Sequence, residues 1–140
     1  MTHRGMTRPT VLFDRSFLEV LVDHDHAQNA DARTCYARLI DDFQAHRIRL
    51  RARLDHLTDV DRQRHAALFA PIEVIHVARQ YRRQAVRLAV RLGDDYEPDL
   101  AVTLVVMRRE SIDRIATYHP FFDTLDVTVE CRSSVDHDSN

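Results

Sequence analysis

The run Thr10-Val11-Leu12-Phe13, which ends on Asp14 and passes at once into Arg15-Ser16-Phe17-Leu18-Glu19, leaves a chain like this few choices of fold. Three apolar residues in a row fit a buried strand. Ser16 and Glu19 have the spacing of a capping box, which predicts a helix over residues 17–22. A strand that feeds directly into a helix opens an α/β unit and leaves Asp14 at the strand's carboxyl end. In open α/β sheets that edge is where ligands bind.

The rest of the chain repeats the alternation. Residues 27–46 carry Ala32, Cys35, Tyr36, Leu39, Ile40 and Phe43 at helical spacing. Residues 47–54 alternate strictly between arginine and apolar side chains, the period of a strand with one wet face. Four arginines on one face repel one another, so this strand is expected at a sheet edge or facing an anion. Residues 55–69 read as a helix broken by Pro71, and Ile72-Glu73-Val74-Ile75-His76-Val77 as a third strand, with His76 a hydrogen-bonded packing residue. A helix over 78–92 ends at Gly93, an acidic loop holds Asp94, Asp95 and Glu97, and Pro98-Asp99 opens a helix over 100–109 that is apolar on nearly every side. Strands over 112–117 and 125–129 complete the pattern. Strands alternating with helices of this length give an α/β fold of three layers, a parallel sheet of about five strands with helices on both faces. One domain over residues 10–131, with polar tails at 1–9 and 132–140, accounts for the 140 residues.

Composition narrows the function. No stretch approaches the ~20 apolar residues of a membrane span, so a cytoplasmic protein is expected. Cys35 and Cys131, far apart and without metal-site spacing, read as buried free thiols. All 20 basic residues are Arg and the net charge is -2, so the total charge implies no general attraction to nucleic acid. Asp23-His24-Asp25-His26 reads as a solvated turn. With two glycines in the chain, a backbone cradle for phosphate is nearly excluded, and no Walker loop, dinucleotide fingerprint or nucleophile elbow is present. What remains is a set of carboxylates at strand ends and helix starts: Asp14, Asp59, Asp99 and Asp123. Oxygen ligands of this kind suit Mg2+ or Mn2+, which can activate water and stabilise a phosphodiester transition state.

The pattern of strand-Asp-x-Ser, an acid in the helix after the second strand, an Asp opening an apolar helix, and Ile-Ala-Thr-Tyr-x-Pro-Phe-Phe-Asp over 115–123 resembles the PIN domain. In size and layout the chain resembles the VapC-type toxins of bacterial toxin-antitoxin pairs. The resemblance covers roughly residues 10–130 and implies a PIN-like fold and a metal-dependent endoribonuclease. It implies catalytic, metal-binding roles for Asp14, Asp59 and Asp99 with Mg2+ or Mn2+. Asp59 falls where the family usually has Glu, and Asp55 competes for that place. Ser16, Thr117 and His119 would orient water or phosphate, and arginines such as Arg15 and Arg109 would hold the RNA backbone. The chain departs from the family at His119, where an Asp is usual; Asp123 follows four residues on. Losing that carboxylate removes a negative charge and replaces a hard ligand with imidazole, so metal affinity is expected to fall or shift toward Mn2+. The alternative is a catalytically impaired module that binds RNA or a partner protein without cutting. The resemblance also implies a cognate antitoxin partner and a homodimer.

Overall fold

The computed structural model describes residues 8–93 and 97–131. The tails expected at 1–9 and 132–140 therefore fall, apart from residues 8 and 9, outside the described residues, as do Asp94 and Asp95 of the acidic loop. The described elements are β1 (Thr10–Phe13), α1 (Arg15–Val22), α2 (Asn29–Gln44), β2 (Arg49–Ala52), α3 (Asp59–Arg64), α4 (Ala66–Phe69), β3 (Glu73–Val74), α5 (Arg79–Leu92), α6 (Pro98–Arg109), β4 (Arg114–Ala116) and β5 (Thr128–Glu130), with a 3-10 helix over Pro120–Thr124.

The five strands form one sheet in the order β3-β2-β1-β4-β5, and every neighbouring pair is parallel. Alternation along β1 divides the core in two. Val11 and Phe13 face α1 and α2 with Leu50 and Ala52, whereas Leu12 faces the layer of α5 and α6 with Ile115. Helix α6 is buried from Leu100 through Met107, which is why its sequence is apolar on almost all sides. No helix among the described residues is long and apolar enough to cross a membrane.

Several local expectations give way. The N-cap of α1 is Asp14, not Ser16, because the Asp14 carboxylate already accepts from the Phe17 N–H; Glu19 pairs instead with Arg15. Strand β2 lies inside the sheet, between β1 and β3. The four arginines of this stretch are tolerated because each meets a carboxylate: Arg47 meets Asp42, Arg49 meets Glu73, Arg51 meets Glu110, and Arg53, just after β2, meets Asp55 and Asp99. The single helix expected over 55–69 is two, because Thr58 caps α3 through the Asp61 N–H and the chain breaks again at His65. His76 is exposed rather than packed.

The cysteines are also corrected. Cys35 in α2 and Cys131, just past β5, form a disulfide with Cα atoms 5.5 Å apart, tying an edge strand to the helix layer. They lie 96 residues apart in sequence, and cross-linking a loop of about that length restricts the unfolded chain by up to about 4–5 kcal/mol in the chain-entropy model. Reduction is expected to lower the unfolding midpoint by an amount that Cys131→Ser reproduces, read by denaturation with and without reductant. Equal midpoints would show that the bridge adds nothing to the fold.

Candidate active site

The sheet register builds the site. Phe13 is level with Ala52 of β2 and with Ala116 of β4, so the next residues, Asp14, Arg53 and Thr117, stand side by side at the carboxyl edge of three adjacent strands. Asp14 is only 6% exposed. Its Oδ1 accepts from the Phe17 N–H at 3.0 Å and from the Ser16 hydroxyl at 2.7 Å, and its Oδ2 accepts from the Thr117 hydroxyl at 2.6 Å. Those hydroxyls are held in turn, since Ser16 Oγ accepts from the Tyr118 N–H and Thr117 Oγ1 from the His119 N–H. Burial pushes the Asp14 carboxyl up, and the bonds from Thr117, Phe17 and Ser16 only partly pull it back, so its pKa stays above the ordinary carboxylate value.

Asp14 opens into a cleft of about 340 Å3 whose walls carry Arg15, Ser16, Glu19, Glu97, Asp99 and His119. The start of α6 supplies Asp99, where a first-turn acid suits the helix dipole. His119 caps the 3-10 helix: its Nδ1 accepts from the Phe121 N–H at 3.2 Å, which leaves the proton of the neutral ring on Nε2, facing Glu97 Oε2 at 3.1 Å. Both ring nitrogens are therefore engaged. Asp99 Oδ1 lies 3.0 Å from Arg53 Nη1. Arg53 also reaches Thr103 Oγ1 at 3.2 Å and grips Asp55 with two bonds, from Nε at 3.1 Å and from Nη2 at 3.0 Å. Burial alone would push the Asp55 carboxyl up, but Arg53, with Arg82, outweighs it and holds that group below the ordinary value.

The expected residues divide accordingly. Asp14, Ser16, Asp99 and His119 line one cleft with Arg15, and Thr117 supports it from beneath. Asp59 does not join them. With Thr58 as cap, Asp59 becomes the exposed first residue of α3 and lines a separate groove with Arg62 and Phe69. Asp55 faces Arg53 and Arg82 instead of the cleft. Asp123 sits on the 3-10 helix and is not among the residues lining the cleft. Arg109 is distant from it too, placed over the Tyr81 ring at 5.9 Å in a groove of about 290 Å3 between α5 and α6 with Arg87, Arg91 and Arg108. Glu19, Glu97, Arg53 and His56 were not anticipated. His56 lies beside Asp14 and Arg53 with a buried Nε2 that has no hydrogen-bond partner; burial first, and then the charge of Arg15, push its pKa down. Of these, Glu97 has a readable signal as the last acid of the loop that leads into Asp99, whereas Arg53 lies within the stretch read as a strand over 47–54 and is seen to follow β2 only in the structure.

Mg2+ and Mn2+ take hard oxygen ligands in near-octahedral geometry. The cleft has carboxylates of the right kind but not the three-acid set expected: the second acid is missing, Asp99 faces a guanidinium, and His119 is engaged at both nitrogens. Among the described residues no three His, Cys, Asp or Glu side chains come together as a group able to hold a metal ion.

No family model matches the sequence, and no curated protein matches it. Among solved structures, the fold is similar to that of Mycobacterium tuberculosis VapC20, a toxin that cleaves the sarcin-ricin loop. The TM-score is 0.65 over 84% of this chain and 98% of that one, at 19% sequence identity. The chain therefore has a PIN-like α/β fold of the VapC type, and at that identity the likeness speaks for the fold alone.

Proposed function

We propose that the chain is a VapC-like endoribonuclease that hydrolyses RNA phosphodiester bonds slowly in the Asp14 cleft. The observation that carries this reading is the convergence of Asp14, Glu97 and Asp99 on one cleft at the carboxyl edge of a PIN-like sheet. The Ser16 and Thr117 hydroxyls hold the Asp14 carboxylate in one orientation, so its charge is fixed in place before substrate arrives. Arg15 at the rim gives a phosphate a cation to approach. Mg2+ or Mn2+ is the cofactor this reading calls for, and the incomplete set of acids is the reason for expecting a low rate with Mn2+ preferred. A small antitoxin that covers the cleft, a homodimer and a cytoplasmic setting belong to the same reading.

A second reading, an RNA- or partner-binding module that does not cut, is favoured by the ion pair between Arg53 and Asp99 and by His119 in the fourth place. One experiment separates the two. Purified protein is incubated with structured RNA in Mg2+ and, separately, in Mn2+. Slow cleavage, faster in Mn2+ and reduced about 100-fold or more by Asp14→Asn and by Asp99→Asn, is the expected result. No cleavage in either metal, or undiminished cleavage by both variants, rejects the nuclease, and a gel shift with the same RNA then measures binding alone. His119→Asp is expected to raise cleavage.

A further inference from the structure

We infer that Arg53, which lies behind the wall of the acidic cleft, is its internal counter-ion: its guanidinium takes up the Asp99 charge that a divalent ion would otherwise meet, and so keeps metal affinity low. The inference rests on the nuclease reading only for the choice of metal.

Arg53 follows β2 as Asp14 follows β1, one strand over, and its side chain is 8% exposed. Nothing about it is incidental to the fold's surface. One end of the guanidinium meets Asp99 Oδ1 and Thr103 Oγ1, and the other is gripped by both oxygens of Asp55. Asp55 thus anchors Arg53 from outside the cleft while Arg53 neutralises an acid inside it. Guanidinium does not lose its proton at any working pH, so the positive charge is permanent. A divalent ion drawn to Asp99 would have to displace this partner and then sit beside it as a like charge. The sequence has put an internal cation behind the acids, directly after the strand whose following helix was expected to deliver another acid.

Mn2+ binding to the whole, chelator-treated protein tests this without RNA, by calorimetry and by the electron spin resonance signal of free Mn2+. The wild type should bind Mn2+ weakly. Arg53→Gln, which keeps a polar group for Thr103, and Arg53→Met, which keeps the stem, should each bind it about tenfold or more tightly, the scale on which one neighbouring charge shifts a site. Arg53→Lys should resemble the wild type. Adding Asp99→Asn to Arg53→Gln should abolish the gain, which a merely loosened fold would not do. Tight binding by the wild type overturns the inference, even if neither uncharged variant folds. So does a folded Arg53→Gln without gain, or a gain that survives Asp99→Asn. Failure of RNA cleavage leaves it standing, because metal binding is read on its own.

Discussion

Phe17→Ala should cost the fold about 3–5 kcal/mol, the loss typical of a fully buried aromatic. Phe17 is 0% exposed and stacks between Phe13, at 5.3 Å between ring centroids, and Tyr118, at 5.8 Å. The three rings join β1, α1 and the segment after β4, which are the pieces that bring Asp14, Ser16 and Thr117 together. Truncating the middle ring therefore opens a cavity directly under the site. Urea unfolding with an unchanged slope measures the loss, and Phe17→Leu, which refills most of the space, should recover the greater part of it. A cost below about 1 kcal/mol would show that the stack does not fix the first turn of α1.

Asp14→Ala should cost about 2–4 kcal/mol and Asp14→Asn less than about 1 kcal/mol, because the two changes remove different things. Alanine takes away the helix cap and leaves the Ser16 and Thr117 hydroxyls and the Phe17 N–H without their acceptor. Asparagine keeps an acceptor for Phe17 and Ser16 and can donate to Thr117, while removing the buried charge. That charge also sets a pH dependence. Because burial raises the Asp14 pKa in the folded state, the folded protein holds this proton more tightly than the unfolded chain does. Stability from this group is full below the unfolded value of 3.8 and declines as pH rises through the folded value. In Asp14→Asn that decline should vanish, as denaturation midpoints taken across mildly acid to neutral pH would show. A decline unchanged in the variant would assign it to another group.

Much of the fold could be read from local pattern, since α2, α5 and β2 have a period that fixes which side is buried, while β1 and α6 are apolar runs that belong inside. Asp14 and Asp99 were legible for the same reason: one ends an apolar strand and the other begins an apolar helix, and the parallel sheet sends both to one edge. Asp59 is not brought to the Asp14 cleft because the residues before it carry competing instructions. Arg53 turns inward, Leu54 is buried and Thr58 starts a helix, so the acid after the cap points to solvent. The arginines of β2 looked like a guarded edge because the carboxylates that neutralise them, Glu73, Glu110 and Asp99, come from later in the chain. Charge pairing over such distances has no local signature. The cysteines show the same limit, since two distant residues reveal nothing of their separation in space until β5 is laid beside β4.

The bridge between Cys35 and Cys131 has a further consequence for how the molecule is divided. It closes a covalent ring that contains β2, β3, β4 and β5, and leaves β1 and α1 outside. The middle strand of the sheet, with Asp14 at its tip, is thus the one strand that belongs to a free arm, wedged between two strands of a closed loop. An oxidised chain nicked once between Cys35 and Cys131 would stay in a single covalent piece, whereas a nick between α1 and α2, outside the ring, would cut one strand from the other four. That strand, with the buried acid, would become a detachable peptide, so that the acid could be withdrawn or supplied separately from its frame.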